Sequence, residues 1–250
     1  MNPVTMHRIK LQPAYVLHQR PYRDTSRIVE LFTREHGRFT VFVRGVRNRK
    51  TGLAAVLQSF QPLLISWTSK GEAGQLEAAE IMGEPRSLPP KSLLSGFYLN
   101  ELLLKLLHIH DPQIDVFDLY NMTIERLKSE HQESQILRIF EKRLLRALGF
   151  GLSLIREAES GFPIMADRSY RYVLEQGPLP ILADVDPVKG VYSGATLLAL
   201  EMEEFSTSQQ CNEARYLLRS VLDHVLDGRH LQSREILTSL RQMRSTKLGF

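Results

Sequence analysis

The chain is poor in the residues that staple, anchor or catalyse. Of its 250 residues one is cysteine, Cys211. One cysteine closes no internal disulfide and builds no cysteine-rich zinc site, and the simplest compartment for such a chain is the cytosol. Cys211 lies in the helical pattern "SQQCNEARYLL", where it reads as a small core residue rather than a nucleophile. No apolar run reaches the roughly 18 residues of a membrane-spanning helix. The opening "MNPVTMHRIKLQPAYVL" has no apolar stretch followed by a small-residue cleavage site, so no secretory signal is expected.

Enzyme signatures are missing as well. No Walker-type glycine-lysine loop occurs, no G-x-G-x-x-G follows a strand, and there is no G-x-S-x-G elbow. "GFGLSL" at 149–154 follows a helical pattern and reads as a helix cap. His108 and His110 are two apart and so point to different faces of a helix, which makes them poor joint metal ligands. The neighbouring acids Glu203 and Glu204 read as a solvated helix end. No residues nominate a catalytic centre, and a binding role outweighs an enzymatic one.

Acids are scarce in one place. Residues 1–50 hold eleven Lys and Arg against Asp24, Glu30 and Glu35, a net of +8, whereas the other 200 hold 21 against 25, a net of −4. Segregation of this kind points to an anionic partner, nucleic acid before membrane. The sharpest concentration is "VFVRGVRNRKTG" at 41–52, where a β-branched and aromatic run breaks into Arg44, Arg47, Arg49 and Lys50 between Gly45 and Gly52.

From Ala14 to Met82 the pattern is that of strands. "AYVLHQRPY", "SRIVELFT", "RFTVFVRG", "FQPLLISWT" and "QLEAAEIM" give five short antiparallel strands, with Gly37 supplying a positive-φ turn residue between the second and third. Arg34, beside Glu35 in that turn, reads as solvated. Five strands in about 80 residues make a small barrel; an OB-fold is the most economical choice and an SH3-like barrel is close to it. Residues 1–82 are thus expected to form a β domain and 83–91, containing the three-proline "GEPRSLPP", a linker. Residues 92–250 are expected to form a mainly helical domain, making the class α+β. Ser92 is expected to cap the first helix and Pro112 to stop it, and Asp115 to cap the second. The third runs over about 133–148, with Gly149 as its C′ residue. Residues 151–192 read as an irregular subdomain with a strand and turn at "RSYRYVLEQGP". Ser193 is expected to cap a helix at 194–202. Two further helices follow, over about 208–227, ended by Gly228, and about 233–243, capped by Ser233.

A phosphate-binding groove needs positive charge, reach and nearby stacking surface. Arg20, Arg23, Arg27 and Arg38 sit at strand ends near Arg44, Arg47, Arg49 and Lys50, and Tyr22, Phe39 and Phe42 are the available aromatics. Because half of the side chains in alternating strands face the core, only one or two of these rings are expected to meet a ligand. Basic loops with surface aromatics on a barrel suit single strands with little sequence preference.

The ordered set "RPYRDTSRIVELFTREHGR", "VFVRGVRNRK", "LQSFQPLLISW", "YLNELLLKLL", "LRIFEKRLLRALGFG" and "LLRSVLDHVLDGRHLQSREIL" resembles the bacterial RecO family of recombination mediators, from about Ala14 to about Leu240. Its closing element is G-x-x-L-x-S-R, with Gly228, Leu231, Ser233 and Arg234. The resemblance implies an OB-fold on a helical domain and the binding of single- and double-stranded DNA. It also implies annealing of complementary strands, work with RecR, and indirect loading of RecA onto strands covered by single-strand-binding protein. A cytoplasmic, nucleoid-associated protein without enzymatic activity, cofactor or membrane contact is therefore expected. The alternatives are an interaction adaptor with weak DNA contact and, further off, a nucleotide-modifying enzyme. The partner's acidic, apolar C-terminal tail needs an apolar slot with a cation at its rim. The helix "ESQILRIFEKRLLRAL" offers Arg138, Lys142 and Arg143 beside Phe140 and Leu145 for it.

Many members of that family carry a four-cysteine zinc site after the G-[FY]-G segment. Here the segment continues as "LSLIREAESGFPIMADRSYRYVLEQG", without cysteine. Phe162, Ile164, Tyr170, Tyr172 and Val173 are expected to hold it by packing. Elemental analysis of untagged protein is therefore expected to find zinc well below one equivalent; a tightly held equivalent would contradict this reading.

Overall fold

The structure, a computed structural model, describes residues 7–46, 52–69, 71, 73–85, 87–129, 132–181, 190–237 and 239. The chain packs as two compact units, Met1–Ser129 with Leu231–Phe250, and Glu130–His230.

In the first unit, β1 (His7–Tyr22), β2 (Ser26–Thr33), β3 (Gly37–Val43), β4 (Leu63–Ser69) and β5 (Ala73–Ile81) close into a barrel of order β1-β2-β3-β5-β4. Closure comes from β1, which pairs with β2 through its second half and with β4 through its first. The barrel is OB-like. Alternation places Ala14, Val16, Val29, Leu31, Phe39, Val41, Val43, Leu63, Ile65 and Trp67 inside, as the two-residue period of a strand requires. Gly37 takes φ 66°, and a Cβ there would lie 2.2 Å from the Asp111 carbonyl oxygen, so the β2–β3 turn admits only glycine.

Several sequence-based expectations need correction. β1 begins at His7 rather than Ala14, extending through Pro13. The pairing of β3 with β5 is parallel, so the five strands are not all antiparallel. A four-residue helix, α1 (Leu53–Val56), precedes β4. Arg34, partly solvated in the turn, is not idle there: it clasps Asp118 with two bonds of 2.9 Å.

α2 (Leu93–Leu106) and α3 (Ile114–Ser129) belong to the same unit as the barrel. The Ser92 side chain makes no capping bond to α2. α2 ends at Leu106, well before Pro112, because Leu107 turns extended. Ile109 then bridges to Arg38, and the His110 N–H donates to the Arg38 carbonyl at 2.8 Å. Asp115 lies inside the first turn of α3 rather than capping it, and Gln113 accepts the Phe117 N–H.

The helices dock at an irregularity of β1. The register with β2 shifts between Val16 and His18, leaving Leu17 without a partner in the ladder. The Leu17 carbonyl instead accepts the Asn100 side-chain amide at 2.8 Å, and the Tyr120 hydroxyl donates to Asn100 Oδ1 at 2.5 Å. Tyr120 is fully buried, and desolvation holds its phenol well above the ordinary tyrosine range, so it stays a neutral donor.

The second unit contains α4 (Glu133–Ala147), the antiparallel sheet β7-β6-β8 from β6 (Ser169–Val173), β7 (Gly177–Pro180) and β8 (Val191–Ser193), then α5 (Gly194–Met202) and α6 (Ser208–Leu226). Gly149 has φ 87°. Its N–H donates to the Arg146 carbonyl and that of Phe150 to Leu145, the paired bonds that end a helix. The Ser193 side chain caps α5 as expected, and Thr207 with Gln210 forms a capping box on α6 that the sequence reading passed over. Of the five residues expected to hold the cysteine-free segment, Ile164 and Tyr170 are buried, whereas Phe162 is 68% exposed.

Asn100→Ala removes one group that satisfies two others. Leaving the Leu17 carbonyl and the Tyr120 hydroxyl unpaired is expected to cost about 1–3 kcal/mol each, read as a lower urea midpoint; a stability equal to wild type would show that water replaces the amide.

Candidate nucleic-acid interface

The outer face of β1 and β2 is divided in two. On one half Tyr15 and Phe32, both buried, point away from the barrel core and are covered by α3. The Tyr15 ring lies 5.7 Å from Phe117 and 4.9 Å from Tyr120, and Phe32 lies 5.4 Å from Phe117. Beyond Leu17, Arg20 and Tyr22 on the same face are exposed, and Ile28 and Phe42 are half-buried. Register places Arg20 opposite Ile28, Ile28 opposite Phe42, and Phe42 beside Gln75, one cross-strand row on the outside of four strands. Tyr22, opposite Ser26, lies one pleat further along. Its ring centroid is 5.5 Å from that of Phe42, and the Arg23 guanidinium sits 5.3 Å over it.

Arg44 leaves the end of β3 beside this patch. The Val46 N–H, donating to the Thr25 carbonyl at 3.0 Å, holds the start of the basic loop against the β1–β2 turn. Arg20, Arg23 and Arg44 are exposed, and among the described residues none has an acidic partner. Arg47, Arg49 and Lys50 lie outside the described residues and follow Arg44 in sequence.

The other two barrel candidates are committed to the fold. Arg27 points to the inner side and donates to Gln19 Oε1 at 2.7 Å, and Gln19 in turn donates to the Leu57 carbonyl. Arg38 pairs with Glu30 at 3.2 Å and donates to the Leu107 carbonyl at 3.3 Å. Of the three aromatics, Phe39 belongs to the barrel core, and Tyr22 and Phe42 stand outside it. Ile28 and Gln75 were not singled out from sequence. Ile28 was within reach, because a turn fixed at Gly37 sets the register that brings it opposite Phe42.

The five α4 residues are all in the second unit. Phe140 and Leu145 are fully buried. Arg138 and Glu141 form a buried pair at 2.6 Å. Lys142, also buried, donates to the Glu201 carbonyl at 2.6 Å in the last turn of α5 and lies 3.5 Å from Glu203, a cation at the negative end of a helix. Arg143 alone is exposed, and it grips Glu203 with two bonds. Burial pushes the Glu203 carboxyl up, but the hydrogen bonds and charges of Arg143 and Lys142 outweigh it and hold the group below its usual range.

The closing G-x-x-L-x-S-R element has a structural task in the first unit. Leu231 and Ser233 are buried. The Glu101 carboxylate on α2 accepts the Gln232 N–H at 2.8 Å, the Ser233 N–H at 2.9 Å and the Ser233 hydroxyl at 2.6 Å. These donors open the helical residues 232–237, so Glu101 is the cap and Ser233 a residue of the first turn rather than the cap itself. The Arg234 guanidinium lies 5.9 Å from the Tyr98 ring centroid. Among the described residues no three His, Cys, Asp or Glu side chains converge to hold a metal, and no helix is long and apolar enough to cross a membrane.

An OB-like barrel followed by a mainly helical part defines the class: a two-part protein of DNA repair and recombination, as comparison with known proteins shows. The model for Recombination protein O N terminal matches residues 6–84, and that for Recombination protein O C terminal matches residues 90–235. The DNA repair protein RecO of Methylococcus capsulatus is 46% identical over 232 residues, 93% of this chain and 94% of that protein. That of Nitrosococcus oceani is 43% identical over 237 residues, covering 94% and 96%, and that of Coxiella burnetii is 41% identical over 230, covering 92% and 98%. The chain belongs to the RecO family.

The α4 cations differ in what their loss would do. Arg138→Met takes the guanidinium from beside a buried carboxylate and is expected to cost about 3–5 kcal/mol. Arg143→Met, at the surface, is expected to cost at most about 1 kcal/mol. Urea unfolding of the two variants checks the order; equal losses would refute it.

Proposed function

We propose that this chain is a non-enzymatic recombination mediator that binds single- and double-stranded DNA along the arginine-bearing half of the barrel's outer face and anneals complementary strands. The observation that carries the reading is the grouping of Arg20, Arg23 and Arg44 on one exposed strip, without acidic partners among the described residues. The sequence leads from this strip directly into Arg47, Arg49 and Lys50. Two strands repel through their phosphates, and a surface that neutralises both lets bases meet. The work is electrostatic and needs no bond-making group. Family membership supports the wider role, in which the protein acts in the cytoplasm at the nucleoid with RecR and promotes RecA loading on DNA covered by single-strand-binding protein. Capture of that protein's acidic tail on α4 would have Arg143 exchange the Glu203 carboxylate for one from the tail, since Arg138 and Lys142 are buried.

The test is a salt titration of DNA binding. Replacing Arg20, Arg44, Arg47, Arg49 and Lys50 by Ala is expected to weaken binding to all sequences alike. Each lost phosphate contact is expected to flatten the log–log salt dependence by roughly 0.7 for single strands and 0.9 for duplex. Arg38→Gln, by contrast, is expected to lower stability and leave the slope unchanged. A multiple variant with wild-type affinity, slope and annealing rate would overturn the reading and favour an adaptor with little DNA contact.

A further inference from the structure

The cationic strip contains a feature that phosphate binding does not require. Tyr22 and Phe42 stand on the outside of the barrel, Tyr22 37% exposed and Phe42 half-buried, with no aromatic ring from a helix against theirs among the described residues. Phosphate contact needs cations and backbone donors; it has no use for aromatic rings, whose exposure to water is unfavourable. The two rings come from different strands, β1 and β3, and meet across β2, at a centroid distance of 5.5 Å and an interplanar angle of 54°. They meet because β2 offers only Ser26 opposite Tyr22, too small to separate them, and Ile28 opposite Phe42. The surroundings are cationic on three sides: Arg20 in the same cross-strand row as Phe42, Arg23 over the Tyr22 ring, and Arg44 two residues past Phe42. Phe39, the third ring of this region, is packed in the core against Trp67 at 4.6 Å and takes no part.

We propose that Tyr22 and Phe42 form a stacking platform for unpaired bases, so that the strip distinguishes single-stranded from duplex DNA by its rings and holds both by its arginines. This rests on the DNA-binding reading above and assigns the base-contacting residues within it. In a duplex each base already lies between its neighbours, and its π-faces are closed to a protein surface. In a single strand they are open, and an aromatic side chain beside a cation holds any of the four bases without reading its edge. The platform favours the unpaired strand before annealing and loses its hold once the base pairs, which gives the annealed product a route off the ring surface while phosphate contacts persist.

The experiment compares Tyr22→Ala/Phe42→Ala with wild type, full chain in each case, binding a thymine oligonucleotide and a mixed-sequence duplex of equal length, followed by fluorescence anisotropy across a salt series. The expected result is a roughly tenfold or greater loss of affinity for the single strand, with duplex affinity and both salt slopes unchanged. Should the double variant unfold, Tyr22→Ser alone, at the exposed ring, serves with a smaller expected loss in the same direction, and Tyr22→Phe is expected to restore binding. Equal losses on single strand and duplex, or no loss on either, overturn the platform while leaving the DNA-binding reading standing. Wild-type protein that binds neither DNA in a salt-dependent way overturns that reading itself.

Discussion

The arrangement of the first unit depends on one unpaired carbonyl in the middle of β1. A strand sixteen residues long would ordinarily present a continuous ladder, and a continuous ladder gives a helix nothing to hold. The shift of register at Leu17 releases its carbonyl, and a released carbonyl in a buried place must be satisfied. Asn100 satisfies it from α2, and Tyr120 on α3 satisfies Asn100. One irregularity therefore brings in two helices. Tyr15 reaches Asn121 at 2.5 Å from the same side, and the aromatic cluster with Phe117 fills the space between. Tyr15 and Phe32, before the bulge, are buried, and Arg20 and Tyr22, after it, are exposed. The boundary between structural face and candidate binding face is set at a single residue.

Charge obeys the same division. The first fifty residues carry the excess of arginine, but not all of it is available. Glu30 takes Arg38, and Asp118 from α3 takes Arg34, whose hydrogen bonds hold the Asp118 carboxyl below its ordinary range. Arg27 is absorbed by Gln19. Each of these lies where strands meet one another or meet helices. Glu77 on β5 takes Arg8 at the start of β1. Arg20, Arg23 and Arg44 lie at the ends of β1 and β3 or just past them, where no acid from another element pairs with them among the described residues. A net charge read along the chain is thus converted by the fold into a local one.

How far the sequence could show this follows from the range of the interactions. β2 was legible to its ends, because alternation and a glycine turn are local signals. The first seven residues of β1 were not, since Pro13 and a polar run disguise a strand that exists by pairing with distant β4. The parallel β3–β5 contact and the four-residue α1 leave no period to detect. Ser92 stands at the N-cap of α2 but makes no side-chain capping bond, and Asp115 and Ser233 lie inside the first turns of the helices they were expected to cap. A cap is a property of backbone geometry, and Ser233 is bonded to Glu101, 132 residues away. The basic cluster was evident in sequence, whereas its division into free and committed members was not, because the committing partners come from other strands and helices.

The second unit shows how a segment without cysteine is kept in order. Backbone and phenols divide the work. The Glu157 N–H donates to the Phe162 carbonyl and the Gly161 N–H returns to the Glu157 carbonyl, closing a tight loop, and Arg156 donates to Gly161 from outside it. The Tyr170 hydroxyl accepts the Met165 N–H at 2.9 Å, and the Tyr172 hydroxyl accepts that of Ser153 at 3.1 Å. Burial pushes the Tyr172 phenol up to about 12, with the Ser153 bond opposing it, so it remains neutral over the working range of pH. At the other end, Glu213 on α6 draws in the Ser193 N–H at 3.1 Å and the Thr196 hydroxyl at 2.8 Å. Burial raises its carboxyl, but these bonds outweigh burial and hold it below the usual range. A metal would fix such a segment through four ligands at one point. Here ordering contacts are spread over a loop, two tyrosines and a carboxylate, and the contribution of Glu213 is lost as acid protonates it.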